Sequence, residues 1–325
     1  MAAVGVLTAA TLTPLALSSA ADAATTAPAV MSSTFLQPSG TTIGWTAKQY
    51  ASEITLERAA GITGIIDQWT VDEDANQAYY PAASGWYPRA NDMVDPLLSA
   101  AGQAGDTVWL GLANVSAWQA HAGDAKWLSN QLYVDEQTAG QLYKLYGSNK
   151  TFKGWYVPFE VSDQELGTSA DVAAMKSFFT SLTSYLHSHD GNKPVMTSPT
   201  YEHLTQSPAT FAASVKNVLG GFDVIDVQDS GGSGYEKPSD ISNWFTALHK
   251  ALAGTGSALW DDPDLFSADN HGGPMAPAQL QANLKAAYGQ VSAYSGFSFT
   301  TQMDPHLIGT SSYYSAYQSY ERKQS

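Results

Sequence analysis

The feature of this sequence that most constrains its fold is a regular alternation of two hydrophobic patterns. From Ser33 onward, apolar runs of strand length alternate with segments of helical periodicity. This alternation predicts βαβ units and a parallel sheet. The strand-like runs number eight, at 33–38, 62–69, 107–114, 152–160, 193–199, 222–229, 257–262 and 296–303. Eight strands alternating with helices match a (β/α)8 barrel in count and order.

The segments between the runs carry helix signals. The first helix is expected from Thr46 to about Ala60, with Thr46 or the residue before it as N-cap and Gly61 as the stop. Further helices are predicted at 92–105, 127–146, 169–189, 208–219, 240–253 and 277–294. No linker or repeat indicates a second domain. We therefore expect one barrel domain over 33–310, followed by a short polar tail at 311–325.

The main alternative to a barrel is an open, doubly wound sheet. Such a sheet usually carries a phosphate-binding turn, G-x-G-x-x-G, directly after its first strand. Here the first strand runs into "LQPSGTTIG", which does not match that pattern. The barrel is therefore favoured.

The charge of the chain limits its partners. Thirty acidic residues against fifteen basic ones give a net charge of -15, and no Lys/Arg cluster occurs. Binding to a phosphate backbone requires such a cluster, so nucleic acid and anionic membranes are not expected partners. Only 14% of residues are charged, while amides, hydroxyls and aromatic rings are plentiful. This composition favours a neutral polar ligand such as a carbohydrate, although many exported proteins share it.

The first residues resemble an export signal. An apolar run within 1–24 ends in Ala21-Asp22-Ala23, which is an A-x-A cleavage pattern. The basic N-terminal region that usually precedes such a run is missing. A disordered Ala/Thr-rich leader is the alternative. We expect a secreted, soluble and monomeric protein whose mature chain starts near Ala24.

Polar residues at the predicted strand ends form the candidate binding site. In a (β/α)8 barrel the carboxyl ends of the strands and the following loops build the active site. Amides both donate and accept hydrogen bonds, which suits sugar hydroxyls, and they end five of the eight strands. These amides are Gln37, Gln68, Asn114, Gln228 and Gln302. Aromatic faces can cover the apolar face of a sugar ring, and the candidates are Trp69, Trp118, Tyr201 and Trp260.

Carboxylates at the same ends predict glycoside hydrolysis. That reaction needs two carboxyl groups flanking one bond, one as general acid and one as nucleophile or base. Glu160 follows an apolar strand and has aromatic neighbours in sequence, a setting that raises a carboxyl pKa through desolvation. The candidates for its partner are Asp264, Asp262 and Asp229, with strand 7 favoured because strands 4 and 7 lie across the barrel mouth from each other.

Other chemistries lack their motifs. There is no cysteine, no H-x-x-x-H or H-E-x-x-H spacing, no complete EF-hand loop and no G-x-S-x-G turn after a strand. We therefore expect neither a metal site nor a cofactor.

Five motifs resemble one known family, the domain-of-unknown-function family 4434. They are "TFLQP", "AAGITGIIDQWT", "GWYVPFEVSD", "FDVIDVQDSGGSG" and "LWDDPDLF", and the resemblance spans about 30–305. That family is a TIM-barrel group similar to retaining glycosidases with an acid on strand 4 and a nucleophile on strand 7. The resemblance implies that Glu160 is the strand 4 carboxylate and that Gln228 and Asp229 match the strand 6 motif. The family pattern has a Glu before an aromatic residue after strand 7, whereas this chain has Asp264 before Phe266, which leaves a retaining mechanism open.

The sequence therefore predicts a secreted glycoside hydrolase that cleaves a neutral glycan. Two alternatives remain at this point. One is a carbohydrate-binding barrel without hydrolytic activity, and the other is a lyase or isomerase that acts on a small exported metabolite.

Overall fold

Eight parallel strands form one sheet whose order around the molecule follows the order along the chain. The computed structural model describes residues 28–189, 191–202 and 206–324. The strands are β1 (Ser33–Leu36), β2 (Gly64–Asp67), β3 (Thr107–Gly111), β4 (Phe152–Val157), β5 (Val195–Thr197), β6 (Val224–Gln228), β7 (Ala258–Asp262) and β8 (Ala293–Tyr294).

The sheet closes into a barrel between its first and last strands. The backbone N–H of Ser32 donates to the carbonyl of Tyr294 at 2.8 Å, and that of Phe35 donates to the carbonyl of Gly296 at 3.1 Å. An open sheet with this sequential strand order would leave these groups of β1 as a free edge, and a doubly wound sheet would place β1 between two other strands. The predicted (β/α)8 barrel is therefore confirmed.

Within the described residues, eight helices of eleven residues or more alternate with the strands. They are α1 (Ala47–Ala59), α2 (Val94–Ala104), α3 (Ala125–Tyr146), α4 (Ser169–His189), α5 (Pro208–Leu219), α6 (Pro238–Leu252), α7 (Pro277–Ala287) and α8 (Ser312–Gln324). Helix α1 begins as predicted, because Thr46 caps the N–H of Gln49 while the Gln49 side chain accepts from the N–H of Thr46.

The alternation of side chains along each strand separates two apolar regions. In β6, Ile225 and Val227 pack into the large layer between the strands and the helices, whereas Val224 points into the barrel. The barrel interior is filled by aromatic rings from β1, β3 and β4 together with smaller apolar side chains. Its buried members are Phe35, Ile66, Trp109, Tyr156, Met196 and Val224. The interior is thus a packed core, and any open space must lie above it, at the strand ends.

The eighth strand is not where the sequence pattern places it. The predicted helix 277–294 ends at Ala287, and β8 is the two-residue strand Ala293–Tyr294. The segment 296–303, predicted as the strand, contains instead the four-residue helix Phe299–Gln302. A strand of two residues carries too little alternation to be recognised. Ala293–Tyr294 is recognised as the eighth strand from its pairing with β7 and from the hydrogen bond that the Tyr294 carbonyl accepts from the segment of β1.

The predicted polar tail 311–325 contains the eighth barrel helix, α8. Its buried face is made of tyrosines at helical spacing, namely Tyr313, Tyr314, Tyr317 and Tyr320. The hydroxyl of Tyr317 accepts from the N–H of Met31 at 2.7 Å, and that of Tyr320 donates to the carbonyl of Ala29 at 2.9 Å. Tyrosine reads as polar in a hydropathy pattern although its ring packs like an apolar group. Helix α8 therefore belongs to the barrel.

The expected leader at 1–24 lies outside the described residues. Within the described part of the chain, no helix combines the length and the apolar character needed to cross a bilayer.

Candidate active site

A cavity opens at the carboxyl ends of the strands and is called here the central cavity. Its volume is about 260 Å³. The residues that line it are Phe35, Gln37, Gln68, Tyr156, Glu160, Gln228, Asp262, Asp264, Phe266 and Phe297. They come from the ends of β1, β2, β4, β6 and β7 and from the segment after β8, so parts of the chain far apart in sequence meet here because parallel strands end on the same side.

Glu160 stands three residues after the end of β4, half-buried in the cavity wall. Burial raises the pKa of its carboxyl to about 7, and the negative charge of Asp264 acts in the same direction. Hydrogen bonds from Gln228 and Gln68 oppose this rise, and Gln68 Nε2 donates to Glu160 Oε1 at 3.4 Å. A carboxyl of this kind is protonated in a large fraction of molecules near neutral pH, which is what a general acid requires.

Asp264 lines the same cavity from the segment after β7, but its surroundings differ. Three donors converge on a single oxygen, Oδ2: the N–H of Gly232 at 2.9 Å, the N–H of Ser233 at 3.0 Å and the hydroxyl of Ser233 at 3.2 Å. Burial raises the pKa of Asp264 to about 6, while these donors stabilise the charged form and limit the rise. Asp264 is thus held in one orientation, with three donors that stabilise its charged form.

The glycine-rich loop 231–234, after β6, makes this support possible. A methyl group on Gly232 would overlap the carbonyl oxygen of Phe266 and the side chain of Asp264. The absence of a side chain lets the loop backbone approach close enough to donate to the carboxylate. The sequence signal for this support was a Gly-rich segment directly after a barrel strand, since such segments let the backbone come close to a neighbouring side chain.

The other two carboxylate candidates have different environments. Asp262 lines the central cavity, is almost fully buried and accepts from the Ser198 hydroxyl at 3.2 Å. Asp229 does not line it. Its Oδ1 accepts from the N–H of Gly231 at 2.8 Å and from the N–H of Asp264 at 3.3 Å. Asp229 therefore supports the backbone that carries Asp264.

Three of the five predicted amides meet in the central cavity. They are Gln37, Gln68 and Gln228. Asn114 lies instead in a small outer sheet, where its carbonyl accepts from the N–H of Glu73. Gln302 lies on the short helix after β8, with its Nε2 donating to the carbonyl of Gly272 at 3.1 Å. Its predicted place at the end of a strand was wrong because that strand does not form.

The predicted aromatic lining was wrong. Trp118 stacks on Phe159 with ring centroids 5.3 Å apart, and Tyr201 stacks on Trp244 at 4.2 Å, all within the buried layer beneath the helices. Trp260 packs edge-on against Trp109 inside the barrel at 6.2 Å, and Trp69 packs against the outer layer. The rings that do line the central cavity are Phe35, Tyr156, Phe266 and Phe297.

A second cavity, of about 350 Å³, adjoins the first and is called here the acidic cavity. It shares Glu160 and Gln228 with the central cavity. Glu165 and Glu202 also line it, with polar groups that include Ser162 and Tyr235. Among the residues of described position that line the two cavities there is no Lys or Arg. A ligand with a carboxylate or a sulfate would find no counter-charge here.

Metal ligands do not gather at this site. In the part of the chain that the structure covers, no group of three or more His, Asp or Glu side chains has an arrangement that could hold a metal ion.

Comparison with known proteins supports the fold. The model of a family described as Domain of unknown function (DUF4434) matches residues 31–308. No curated protein matches the chain. A candidate α-L-fucosidase from Bacteroides thetaiotaomicron aligns with a TM-score of 0.73 at 20% identity, covering 91% of this chain and 96% of that chain.

Two more distant structures have the same architecture. The PgaB (BpsB) glycoside hydrolase domain from Bordetella bronchiseptica gives a TM-score of 0.55 at 12% identity, covering 88% of this chain and 98% of that one. A family 18 chitinase from Pseudoalteromonas aurantia gives 0.51 at 12% identity with the same coverage of 88% and 98%. The fold is that of glycoside hydrolase barrels.

Proposed function

The chain belongs to the DUF4434 family, and we propose that it is an exported glycoside hydrolase that cleaves a neutral glycan at the mouth of the barrel. The observation that carries the proposal is the pair Glu160 and Asp264 on one cavity. Both carboxyls line the same space, and their surroundings differ, with pKa values raised to about 7 and about 6. Two carboxyls with different ionisation on one cavity suit the division of labour in glycoside hydrolysis.

Glu160 is the general acid in this proposal. Its proton passes to the glycosidic oxygen as the bond from that oxygen to the anomeric carbon breaks. Asp264, oriented through Oδ2 by Gly232 and Ser233, acts on the opposite side of the sugar. As a nucleophile it would give retention of the anomeric configuration, and as a base for water it would give inversion. Proton NMR of the first product anomer distinguishes the two.

A neutral substrate is supported by the chemistry of the walls. Gln37, Gln68 and Gln228 can donate to and accept from hydroxyls, and the partly exposed rings of Phe266 and Phe297 present apolar surface to a sugar ring. The carboxylates of the acidic cavity would repel uronates and sulfated sugars.

The test is digestion of a glycan panel, including uronate-containing glycans, read by mass spectrometry. We expect wild-type protein to release products from a neutral glycan and not from the acidic ones. Glu160→Gln and Asp264→Asn should each lower the rate by about 10²- to 10⁴-fold, whereas Glu136→Gln on α3, outside both cavities, should not. A Glu160→Gln variant with the wild-type rate would remove Glu160 as the acid.

Export is proposed from the A-x-A pattern of the leader. N-terminal sequencing of protein recovered outside expressing cells should begin near Ala24, and retention of an intact leader inside the cells would contradict it.

A further inference from the structure

A third cavity adjoins the central one on the side away from the acidic cavity. It has a volume of about 250 Å³ and is called here the threonine cavity, since its wall includes Thr41, Thr42, Thr300 and Thr301. Ile308 contributes apolar surface, and Gln37 is shared with the central cavity. No charged side chain lines it within the described part of the chain.

The order of the strands shows how the three cavities are arranged. The wall of the threonine cavity comes from the segments that follow β1 and β8. The wall of the acidic cavity comes mainly from the segments that follow β4, β5 and β6. Because β1 and β5 are four positions apart in a ring of eight, these two cavities lie on opposite sides of the barrel mouth.

The shared residues show that the central cavity adjoins each of the other two. Gln37 belongs to both the threonine and the central cavity, and Glu160 and Gln228 belong to both the central and the acidic cavity. Glu160, the candidate acid, thus lies at the boundary between the central cavity and the acidic cavity. A bond protonated by Glu160 would therefore join a group in the central cavity to a group in the acidic cavity.

From this arrangement, and resting on the proposed function, we infer that the substrate is a glycan chain of three or more sugar units that is cleaved at an internal bond. The central cavity holds the unit whose anomeric carbon reacts. The acidic cavity holds the leaving portion, which takes the proton of Glu160, and water supplies the hydroxyl to the anomeric carbon. The threonine cavity holds the preceding unit, whose hydroxyls meet Thr41 and Thr301 while Ile308 covers its apolar face.

An enzyme that removes single terminal sugars has no use for the threonine cavity, because its central cavity would receive the end of the chain. The two modes therefore differ in their dependence on chain length. A unit bound in the threonine cavity adds binding energy that a two-unit substrate cannot use.

The experiment compares 4-nitrophenyl glycosides of single sugars with end-labelled neutral oligosaccharides of two to six units, in the gluco, xylo, manno and galacto series. We expect internal cleavage of one series, with kcat/KM rising on the order of tenfold between two and three units, about 1.4 kcal/mol. Thr41→Trp, an exposed position on the wall of the threonine cavity, should bring kcat/KM for longer chains down toward the two-unit value. Thr55→Trp on the outer face of α1 is the matched control.

The outcomes separate the inference from the function on which it rests. Release of single sugars at a rate independent of chain length, unchanged in Thr41→Trp, would overturn the internal cleavage and leave a glycoside hydrolase. Absence of cleavage in every series and in the glycan panel would overturn both.

Discussion

The pKa of Glu160 can be changed through a single neighbour, Gln68. The amide Nε2 of Gln68 donates to Glu160 Oε1 at 3.4 Å and so stabilises the ionised carboxyl. Gln68→Met keeps the volume of the side chain and removes the donor. The negative charge then loses support while burial remains, so the pKa of Glu160 should rise from about 7.

The size of the rise follows from the length of the hydrogen bond. A hydrogen bond to a charged group contributes about 1.5–3 kcal/mol when short. At 3.4 Å this bond is near the outer limit of length, so we take about 1 kcal/mol, which corresponds to about 0.7 pKa unit. A general acid works in its protonated form. A higher pKa therefore moves the alkaline limb of the activity profile to higher pH by the same amount.

The assay is a carbon NMR titration of protein labelled at the glutamate carboxyls, with Glu160→Gln assigning the signal. It needs no substrate. Gln103→Met, at an exposed position on α2, controls for the substitution itself. A wild-type Glu160 that titrates near 4.5, or a pKa that stays constant or falls in Gln68→Met, would refute the account of this site. The alkaline limb of kcat/KM provides the second reading once a substrate is known.

Three further predictions concern the partner carboxylate Asp264, helix α8 and the buried acid Glu57. Ser233→Ala removes the hydroxyl donor to Asp264 and should move the acid limb of the pH profile of kcat/KM from about 6 to higher pH by about half a unit. The surface control Ser239→Ala should leave that limb unchanged, and an unchanged limb in Ser233→Ala would contradict the prediction. Tyr317→Phe leaves the buried N–H of Met31 without its acceptor and should lower the free energy of unfolding in urea by about 1–3 kcal/mol. A loss no larger than that of Tyr133→Phe, which is 58% exposed, would show that α8 is not anchored there. Burial, together with the charges of Asp106 and Asp304, raises the pKa of Glu57 in the folded protein to about 8. The contribution of Glu57 to folding stability is therefore fully present below its pKa in the unfolded chain, and it is lost as the pH rises toward 8. Glu57→Gln should therefore raise the melting temperature at about pH 9 more than at about pH 5, and equal effects at both would be against it.

The sequence was sufficient to predict Glu160 and three amides at the mouth. A run such as 152–160 shows its strand through local periodicity, and parallel strands of a barrel all end on the same side. A polar residue just after such a run is therefore placed at the mouth without knowledge of any tertiary contact. Gln37, Gln68 and Gln228 followed from the same reasoning.

The direction of the aromatic side chains did not follow from the sequence. Trp118 and Tyr201 come just after strand ends, but their rings turn beneath the helices to stack on Phe159 and Trp244. Position in the chain determines the end of the barrel at which a residue lies. It does not determine whether the side chain points to the mouth or to the layer behind it, because that depends on which partners pack there.

Local pattern thus determined by itself the class of fold, the first seven strands, the candidate acid and the absence of a phosphate turn. The tertiary structure alone decided that the loop after β6 supports Asp264, that Asp229 supports the backbone of Asp264, and that 312–324 is a helix of the barrel. The physical reason is the distance along the chain between the contacting groups. Gly232 donates to Asp264 from 32 residues away, and Met31 donates to Tyr317 from 286 residues away. Hydrophobic periodicity extends over one helix or strand, so it carries no information about contacts of that range.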